Sequence, residues 1–157
     1  MYDSNIKKLS KSFYDNYPKE IYPEIMQKTE RSYDVVIFEL EILKDCYICV
    51  PFRSEMKHKN GYSFKNSERS KTHKSGLDFS KLVIIRKKEY IGKDSVIDKD
   101  EFKEFIRKKD FIHKNLEKYI CDYIYHVKNE KVLHRKEFDR KYKYSTLKYF
   151  HNELNIF

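Results

Sequence analysis

The sequence predicts a single domain of the α+β class, with an antiparallel β-hairpin in its first half and helices in its second. The chain has 157 residues, which is enough to bury a substantial hydrophobic core. Residues 33–52 are rich in β-branched and aromatic side chains, whereas apolar residues in 95–157 recur at helical spacing. Aromatic residues make up 16% of the chain, which is typical of globular proteins.

The N-terminal segment, residues 1–30, is polar with irregularly spaced aromatic residues. Pro18 and Pro23 are incompatible with one long helix, so we expect short helices or an arm anchored by aromatic side chains. Residues 1–12 lack the apolar core of a signal peptide, and no apolar run approaches the roughly 20 residues of a membrane-spanning helix. We therefore expect a cytoplasmic protein that does not enter a membrane.

Residues 31–90 are predicted to form the sheet. The first strand covers 33–42, where apolar and glutamate side chains alternate over the second half. A short turn at 43–45 leads to a returning strand from Cys46 to Phe52, which makes an antiparallel hairpin. A third strand is expected from Lys81 to Arg86.

Residues 95–157 are predicted to be mainly helical. Ser95, Asp98 or Asp100 could cap a helix through 102–106. A second helix over 112–127 is indicated by apolar residues three and four positions apart. A short helix is expected within 133–142, and Ser145 could cap a last one.

The long connection between the second and third strands, residues 53–80, has no apolar periodicity. Within 53–74, seven Lys and Arg residues face two Glu residues, a net charge of +5 out of the formal +9 of the whole chain. Loops of this length in compact domains are usually functional or mobile. We expect the paired strands on either side to hold both ends of this basic segment.

A basic protein usually contacts nucleic acid, an anionic membrane or an acidic protein. Aromatic, amide and hydroxyl side chains interleave with the basic residues here, which favours RNA, since unpaired bases stack on rings while Lys and Arg bind phosphates. The alternative is a solvated loop whose charge only maintains solubility. The RNA-binding candidates in this segment are Lys59, Asn60, Tyr62, Lys65, Arg69, Ser70, Lys71 and Lys74.

RNA cleavage without a metal needs a base for the 2′-hydroxyl, positive groups for the phosphate and an acid for the leaving 5′-oxygen. The candidates follow the second strand directly: Arg53 and Lys57 for the phosphate, Ser54 to position it or relay a proton, and His58 as acid or base. The alternatives are an ordinary surface histidine at position 58 and a serine at 54 that bonds its own backbone.

Neither a metal nor another cofactor is expected. Cys46 and Cys49 have the spacing of a metal-binding pair, but residues three apart in a strand point to opposite faces. The odd total of three cysteines, with Cys121, argues against a disulfide framework and for a reducing compartment. The acidic residues between 94 and 101 are better explained as helix caps.

Several short motifs between residues 31 and 85 carry a resemblance to a known family. They are Arg31 before the strand Val35–Leu40, then Val50-Pro51-Phe52-Arg53-Ser54 with Lys57-His58-Lys59-Asn60, and finally Ser75–Lys81 leading into the third strand. In this order and spacing they resemble the toxins of type III toxin–antitoxin systems, the ToxN/AbiQ group, and in particular its TenpN and CptN branches. The motifs cover about a third of the chain.

The resemblance implies a strongly bent, partly barrel-like antiparallel sheet packed with helices. It implies a metal-independent endoribonuclease that leaves 2′,3′-cyclic phosphate ends. It also implies a bacterial cytoplasmic protein that processes its own inhibitor, a repeat-derived RNA pseudoknot, and assembles with it into a closed protein–RNA complex.

The resemblance also implies roles for individual residues. Ser54 matches an essential serine, and Lys57 matches an active-site lysine. Arg53 stands where related toxins have threonine. Arg31 lies near the position of a site lysine, and Ser80 and Lys81 belong to the motif before the third strand, where Lys81 matches a lysine. The alternative function is a non-catalytic RNA- or DNA-binding regulator that uses the same basic segment.

Overall fold

The structure is a computed structural model that describes residues 5–27, 33–129 and 134–156. In chain order its strands are β1 (Ile6–Leu9), β2 (Asp34–Phe38), β3 (Tyr47–Arg53), β4 (Gly61–Ser63), β5 (Gly76–Asp78), β6 (Val83–Ile85) and β7 (Ile91–Asp94). Its helices are α1 (Lys11–Asn16), α2 (Lys99–Asn129) and α3 (Arg135–Tyr142).

Within the described ranges, the strands form one seven-stranded antiparallel sheet in the order β4-β5-β3-β2-β1-β7, with β6 also paired to β3. The predicted α+β class and the β2–β3 hairpin are confirmed, with Phe38 opposite Ile48. The sheet does not close on itself, so it forms at most part of a barrel. The first strand ends earlier than predicted because residues 41–43 form a 3-10 turn.

Strand β3 organises the site because β5 and β6 lie end to end along one of its edges. Phe52 pairs with Leu77, and Cys49 pairs with Val83. On β3, only residues 50 and 51 lie between these two pairs. On the chain that runs from β5 to β6, residues 78–82 lie between them. The three extra residues are accommodated by a 3-10 turn at Phe79–Lys81, so the strand is interrupted immediately after Asp78.

The basic segment 53–80 is not a single structureless loop, which corrects the prediction. It contains β4 and β5, and it buries Met56, Tyr62, Phe64 and Leu77, each at most 8% exposed. These apolar anchors are spaced irregularly, so neither a helical nor a strand period reveals them. The segment is therefore folded onto the sheet, and its basic side chains extend from a backbone that is anchored there.

The two helices predicted between 95 and 127 are one continuous helix, α2, which corrects another prediction. The connecting residues 107–111 are mostly exposed but include neither Gly nor Pro, so nothing interrupts the backbone hydrogen bonds there. The buried stripe of α2 contains Phe105, Ile112, Leu116, Tyr119, Ile120 and Tyr123. No helix in the described ranges is both long and apolar enough to cross a membrane.

The two ends of the described chain pack together. Strand β1, which the sequence analysis missed, pairs with both β2 and β7. From α1, the ring of Phe13 stacks on Tyr17 at 4.7 Å, and Tyr17 lies 5.8 Å from Phe150. Ser145 begins the last turn as predicted, accepting a hydrogen bond from the backbone of Leu147, and Leu147, Phe150 and Leu154 are buried.

Candidate functional site

A buried carboxylate, Asp78, lies at the end of β5 and binds two of the predicted catalytic side chains. Its side chain is 0% exposed, and Oδ2 accepts from Arg53 Nη1 at 2.9 Å and lies 3.1 Å from His58 Nε2. The other oxygen, Oδ1, accepts from the backbone N–H of Ser80 at 2.9 Å and from its hydroxyl at 2.6 Å. We refer to Arg53, His58, Asp78 and Ser80 as the Asp78 cluster.

The strand register explains why Arg53 reaches Asp78. Arg53 stands directly opposite Gly76, and Asp78 is two residues further along β5. Because side chains alternate between faces, residues 76 and 78 lie on the same face, and the pair 53–78 is a cross-strand diagonal within reach of a long side chain. The contact joins residues 25 positions apart in the sequence.

The hydrogen bonds of His58 determine its tautomer. The backbone N–H of Asn60 donates to Nδ1 at 3.0 Å. A backbone N–H can only donate, so Nδ1 is the acceptor and the ring proton is on Nε2, where it is donated to Asp78. Both ring nitrogens are thus engaged, while the side chain remains 34% exposed.

Asp78 is ionised because the hydrogen bonds that its carboxylate accepts lower its pKa by more than burial raises it. Burial raises the pKa of Asp78, but the hydrogen bonds from His58, Ser80 and Arg53 together hold that pKa below its usual value. The guanidinium of Arg53 balances the charge of Asp78. Additional positive charge for a phosphate must therefore come from neighbouring lysines.

Ser54 and Lys57 stand next to the Asp78 cluster and face solvent. Ser54 follows Arg53 in a bend after β3, and its hydroxyl makes no hydrogen bond to any described residue. The alternative of a serine that bonds its own backbone is therefore not observed. Lys57 is exposed and forms no ion pair among the described residues, so both side chains are available to a ligand.

The remaining basic candidates fall into two groups. Arg69 binds Asp98 at 2.9 Å and Lys71 binds Glu68 at 2.8 Å. Lys81 is 15% exposed and binds both Glu24 and the carbonyl of Tyr144 at 2.8 Å, so its ammonium group is engaged within the protein, and its expected role in RNA binding stays a prediction. In contrast, the side chains that are exposed and form no ion pair in the described ranges are those of Lys59, Lys65 and Lys74.

Three hydroxyl residues expected to touch RNA are used inside the protein. Tyr62 is 8% exposed and its hydroxyl donates to Glu104, so its ring cannot stack on a base. Ser80 is 6% exposed and serves Asp78, and the Ser70 hydroxyl donates to the carbonyl of Ser67 at 2.7 Å. Tyr62 and Ser80 are buried because the segment folds back onto β3 and α2, whereas Ser70 is half-buried and its expected RNA contact stays a prediction. Arg31 lies outside the described residues.

Acidic residues that anchor the basic segment were missed by the sequence analysis. At the start of α2, Glu104 accepts from the backbone N–H groups of Lys65 at 3.0 Å and Asn66 at 2.8 Å. Glu101 accepts from the Ser75 hydroxyl at 2.8 Å, and burial raises its pKa. Glu101 was interpreted as a cap of its own helix, and Glu104 was not singled out, whereas both bind another segment.

A weak signal for Asp78 does exist in the sequence. It is a single acidic residue between the apolar Leu77 and Phe79, at the end of a strongly basic stretch. An acid in such a setting has apolar neighbours to bury it and many cations to pair with.

The cysteines are free and buried to different extents. Cys46 and Cys49 are 4% and 0% exposed, and burial raises the pKa of both thiols. Among the described residues, no three His, Cys, Asp or Glu side chains are grouped so that they could hold a metal ion.

The part-exposed guanidinium of Arg53 and imidazole of His58 in the Asp78 cluster lie within six residues of the chain that also carry the exposed hydroxyl of Ser54 and ammonium group of Lys57. Such a set can bind an anion and transfer protons. Searches of protein-family models, curated proteins and solved structures find no match to this chain. Function is therefore inferred from the residues and their geometry.

Proposed function

We propose that this protein is a metal-independent endoribonuclease of the type III toxin kind, which cleaves RNA at the Arg53–Ser54 end of β3. The observation that carries this proposal is the convergence of Arg53 and His58 on buried Asp78, beside the exposed Ser54 and Lys57. It is supported by the fact that two separate motifs of the family resemblance, 50–60 and 75–81, meet at this carboxylate.

In the proposed reaction, the ribose 2′-oxygen bonds to the adjacent phosphorus while the bond from phosphorus to the 5′-oxygen breaks. The departing 5′-oxygen takes up a proton from solvent water, so the products carry a 2′,3′-cyclic phosphate and a 5′-hydroxyl. Negative charge develops on the phosphate oxygens in the transition state, where charged donors stabilise it most. Arg53 supplies N–H groups beyond the one given to Asp78, Lys57 supplies an ammonium group, and Ser54 donates its hydroxyl.

His58 is the proposed proton acceptor for the 2′-hydroxyl. Nε2–H is donated to Asp78, so Nδ1 is the nitrogen that can take a proton, and Asp78 stabilises the imidazolium that results. At rest, Nδ1 already accepts from the N–H of Asn60. The base therefore becomes available only when RNA binding breaks this local contact.

The second candidate is a non-catalytic RNA-binding protein. It is favoured by one specific observation, the engagement of both nitrogens of His58 within the protein. The same exposed cations would then bind phosphates without cleaving them. An RNA pseudoknot inhibitor and a closed protein–RNA complex in the bacterial cytoplasm belong to the first candidate and are proposed on the resemblance alone.

The test is to incubate the purified protein with bacterial RNA in the presence of EDTA and to sequence the new ends. We expect 2′,3′-cyclic phosphate and 5′-hydroxyl ends. Ser54→Ala should slow cleavage by about 10²-fold, the usual effect of removing one transition-state donor. Ser63→Ala is the matched control, because Ser63 is also exposed and makes no side-chain hydrogen bond to a described residue.

Two outcomes would count against cleavage at this site. If Ser54→Ala cleaved as fast as Ser63→Ala, Ser54 would not belong to the reaction. If the protein bound RNA with a steep salt dependence but produced no new ends, the non-catalytic candidate would be preferred.

A further inference from the structure

A cleft adjoins the Asp78 cluster on the side of α2 and α3. Its volume is about 230 Å³, and the side chains that line it include Lys59, Asn60, Asn115, Lys118, Tyr119 and Lys141. Pockets for drug-sized ligands usually enclose about 300–1,000 Å³. The cleft is therefore suited to one flat polar group and is too small for an extended strand.

The charge of the cleft favours an anionic ligand. Three ammonium groups, from Lys59, Lys118 and Lys141, line it, and the carboxylate of Asp122 pairs with two of them. Asp122 accepts from Lys118 at 2.7 Å and from Lys141 at 3.3 Å, so it balances only part of this charge. Lys59 forms no ion pair among the described residues and lies two positions from Lys57.

Asn60 is held by three hydrogen bonds that leave one acceptor unused. Its backbone N–H donates to His58 Nδ1 at 3.0 Å, its carbonyl accepts from Phe79 at 3.0 Å, and its Nδ2 donates to the carbonyl of Lys141 at 3.2 Å. Its side-chain oxygen has no partner in the described part of the chain. Asn60 thus offers a fixed acceptor in the cleft.

A second amide completes the polar lining. Asn115 on α2 is half-buried and its side chain makes no hydrogen bond to any described residue, so it can donate or accept. Adenine, cytosine and guanine carry exocyclic amino groups that a fixed acceptor recognises, while uracil carries none. Two amides beside three lysines therefore match a nucleobase whose phosphate is near.

We propose that this cleft is a recognition pocket for one base of the bound RNA, and that it selects a base with an exocyclic amino group. The proposal rests on the proposed RNA function and makes Asn60 and Asn115 specificity-determining residues. Because Asn60 is two residues from His58 and its carbonyl is held by the backbone N–H of Phe79, the pocket would fix which phosphodiester link lies over the Asp78 cluster relative to the recognised base.

The experiment measures binding of short 2′-fluoro oligonucleotides, which lack the attacking hydroxyl and cannot be cleaved by this chemistry. Uridine oligomers with a single central adenosine, cytidine or guanosine are compared with the all-uridine oligomer by fluorescence anisotropy at one salt concentration. We expect at least one of the three to bind about 10-fold more tightly than all-uridine, the discrimination typical of a paired base edge.

The variants separate base recognition from general attraction. Asn115→Ala and Asn60→Ala should bring the affinities for all oligomers within about twofold of each other, with thermal unfolding measured to verify the fold. Lys118→Ala should weaken binding of every oligomer, because it removes charge and not base contacts. Lys114→Ala is the matched control, since Lys114 is one turn away on α2 and does not line the cleft.

The outcomes distinguish this proposal from the one on which it rests. Equal binding of all oligomers by the wild-type protein, or a preference unchanged in Asn115→Ala and Asn60→Ala, would overturn the base pocket and leave RNA cleavage standing. Absence of binding to any oligomer, together with absence of cleavage, would overturn both.

Discussion

Asp78 and Glu104 are both buried carboxylates that hold the basic segment 53–80, but they accept hydrogen bonds from different kinds of donor. Asp78 binds the side chains of Arg53 and His58, each about one third exposed. Glu104 binds the buried hydroxyl of Tyr62 and two backbone N–H groups. Burying either charge is costly unless donors compensate it.

The difference in donors separates two roles. Glu104 accepts its hydrogen bonds from groups that face inward. It therefore orders residues 62–66, and among the described residues it binds no side chain that reaches solvent. Asp78 is satisfied by side chains that also reach solvent, so its position determines where a guanidinium and an imidazole are presented. We therefore expect Glu104 to control stability alone and Asp78 to control both stability and activity.

The largest change in stability is expected for Glu104→Ala. It leaves the Tyr62 hydroxyl and the N–H groups of Lys65 and Asn66 without an acceptor, and we expect the free energy of unfolding to fall by about 4 kcal/mol. Urea unfolding measures this, with Glu117→Ala on the same helix as the control. RNA cleavage per folded molecule should be unchanged within about threefold. If a fully folded Glu104→Ala protein lost RNA cleavage, the assignment of Glu104 to stability alone would be contradicted.

Asp78→Asn is expected to lower the free energy of unfolding by about 3 kcal/mol, because an amide N–H then faces the donors of Arg53 and His58. Cleavage of RNA should fall by about 10²-fold in the folded protein, since both side chains lose their orientation. Asp110→Asn, an exposed position on α2, is the control. Full activity in a folded Asp78→Asn protein would show that the carboxylate does not orient the site.

The stability lost in Asp78→Asn should also depend on pH. The pKa of Asp78 is lower in the folded state than its usual value, so the carboxylate stabilises the fold above that usual value and this contribution is lost as the pH falls through the folded pKa. The difference in unfolding free energy between wild type and Asp78→Asn should therefore narrow below about pH 4. A constant difference across this range would contradict an ionised Asp78.

The smallest change in the free energy of unfolding is expected for Glu101→Gln, and this change is a gain in stability. Burial raises the pKa of Glu101, so the fold favours its protonated form and its ionised form destabilises the protein at neutral pH. Glutamine keeps an oxygen for the Ser75 hydroxyl without the charge. Urea unfolding at pH 7 should show Glu101→Gln more stable by about 1 kcal/mol, with the gain disappearing near pH 4. A less stable variant at pH 7 would refute this.

Much of the fold was predictable because its signals are local. The β-branched stretches around 35–38 and 46–52 predict the hairpin, and the buried stripe of α2 has a clear helical period. Arg53, Ser54, Lys57 and His58 could be grouped because they lie within six residues. The member of the cluster that was missed, Asp78, is distant in sequence from these four, since it lies 20 positions from His58.

Two short strands were missed for a different reason. Strand β1 has four residues with only Ile6 and Leu9 buried, and β4 has three. Strands this short carry no period of their own, and they exist because a neighbouring strand offers hydrogen-bond partners. Their prediction requires the register of the whole sheet.

The sequence by itself determined that this chain is basic, that its positive charge concentrates in 53–74, and that a sheet precedes a helical part. Only the tertiary structure decided which cations are neutralised internally, such as Arg69 and Lys71, and which face solvent, such as Lys57 and Lys59. The physical reason is that ion pairing depends on separation in space and on exposure. The register that sets Gly76 opposite Arg53 brings Asp78 to Arg53, and no local pattern in the sequence encodes that contact.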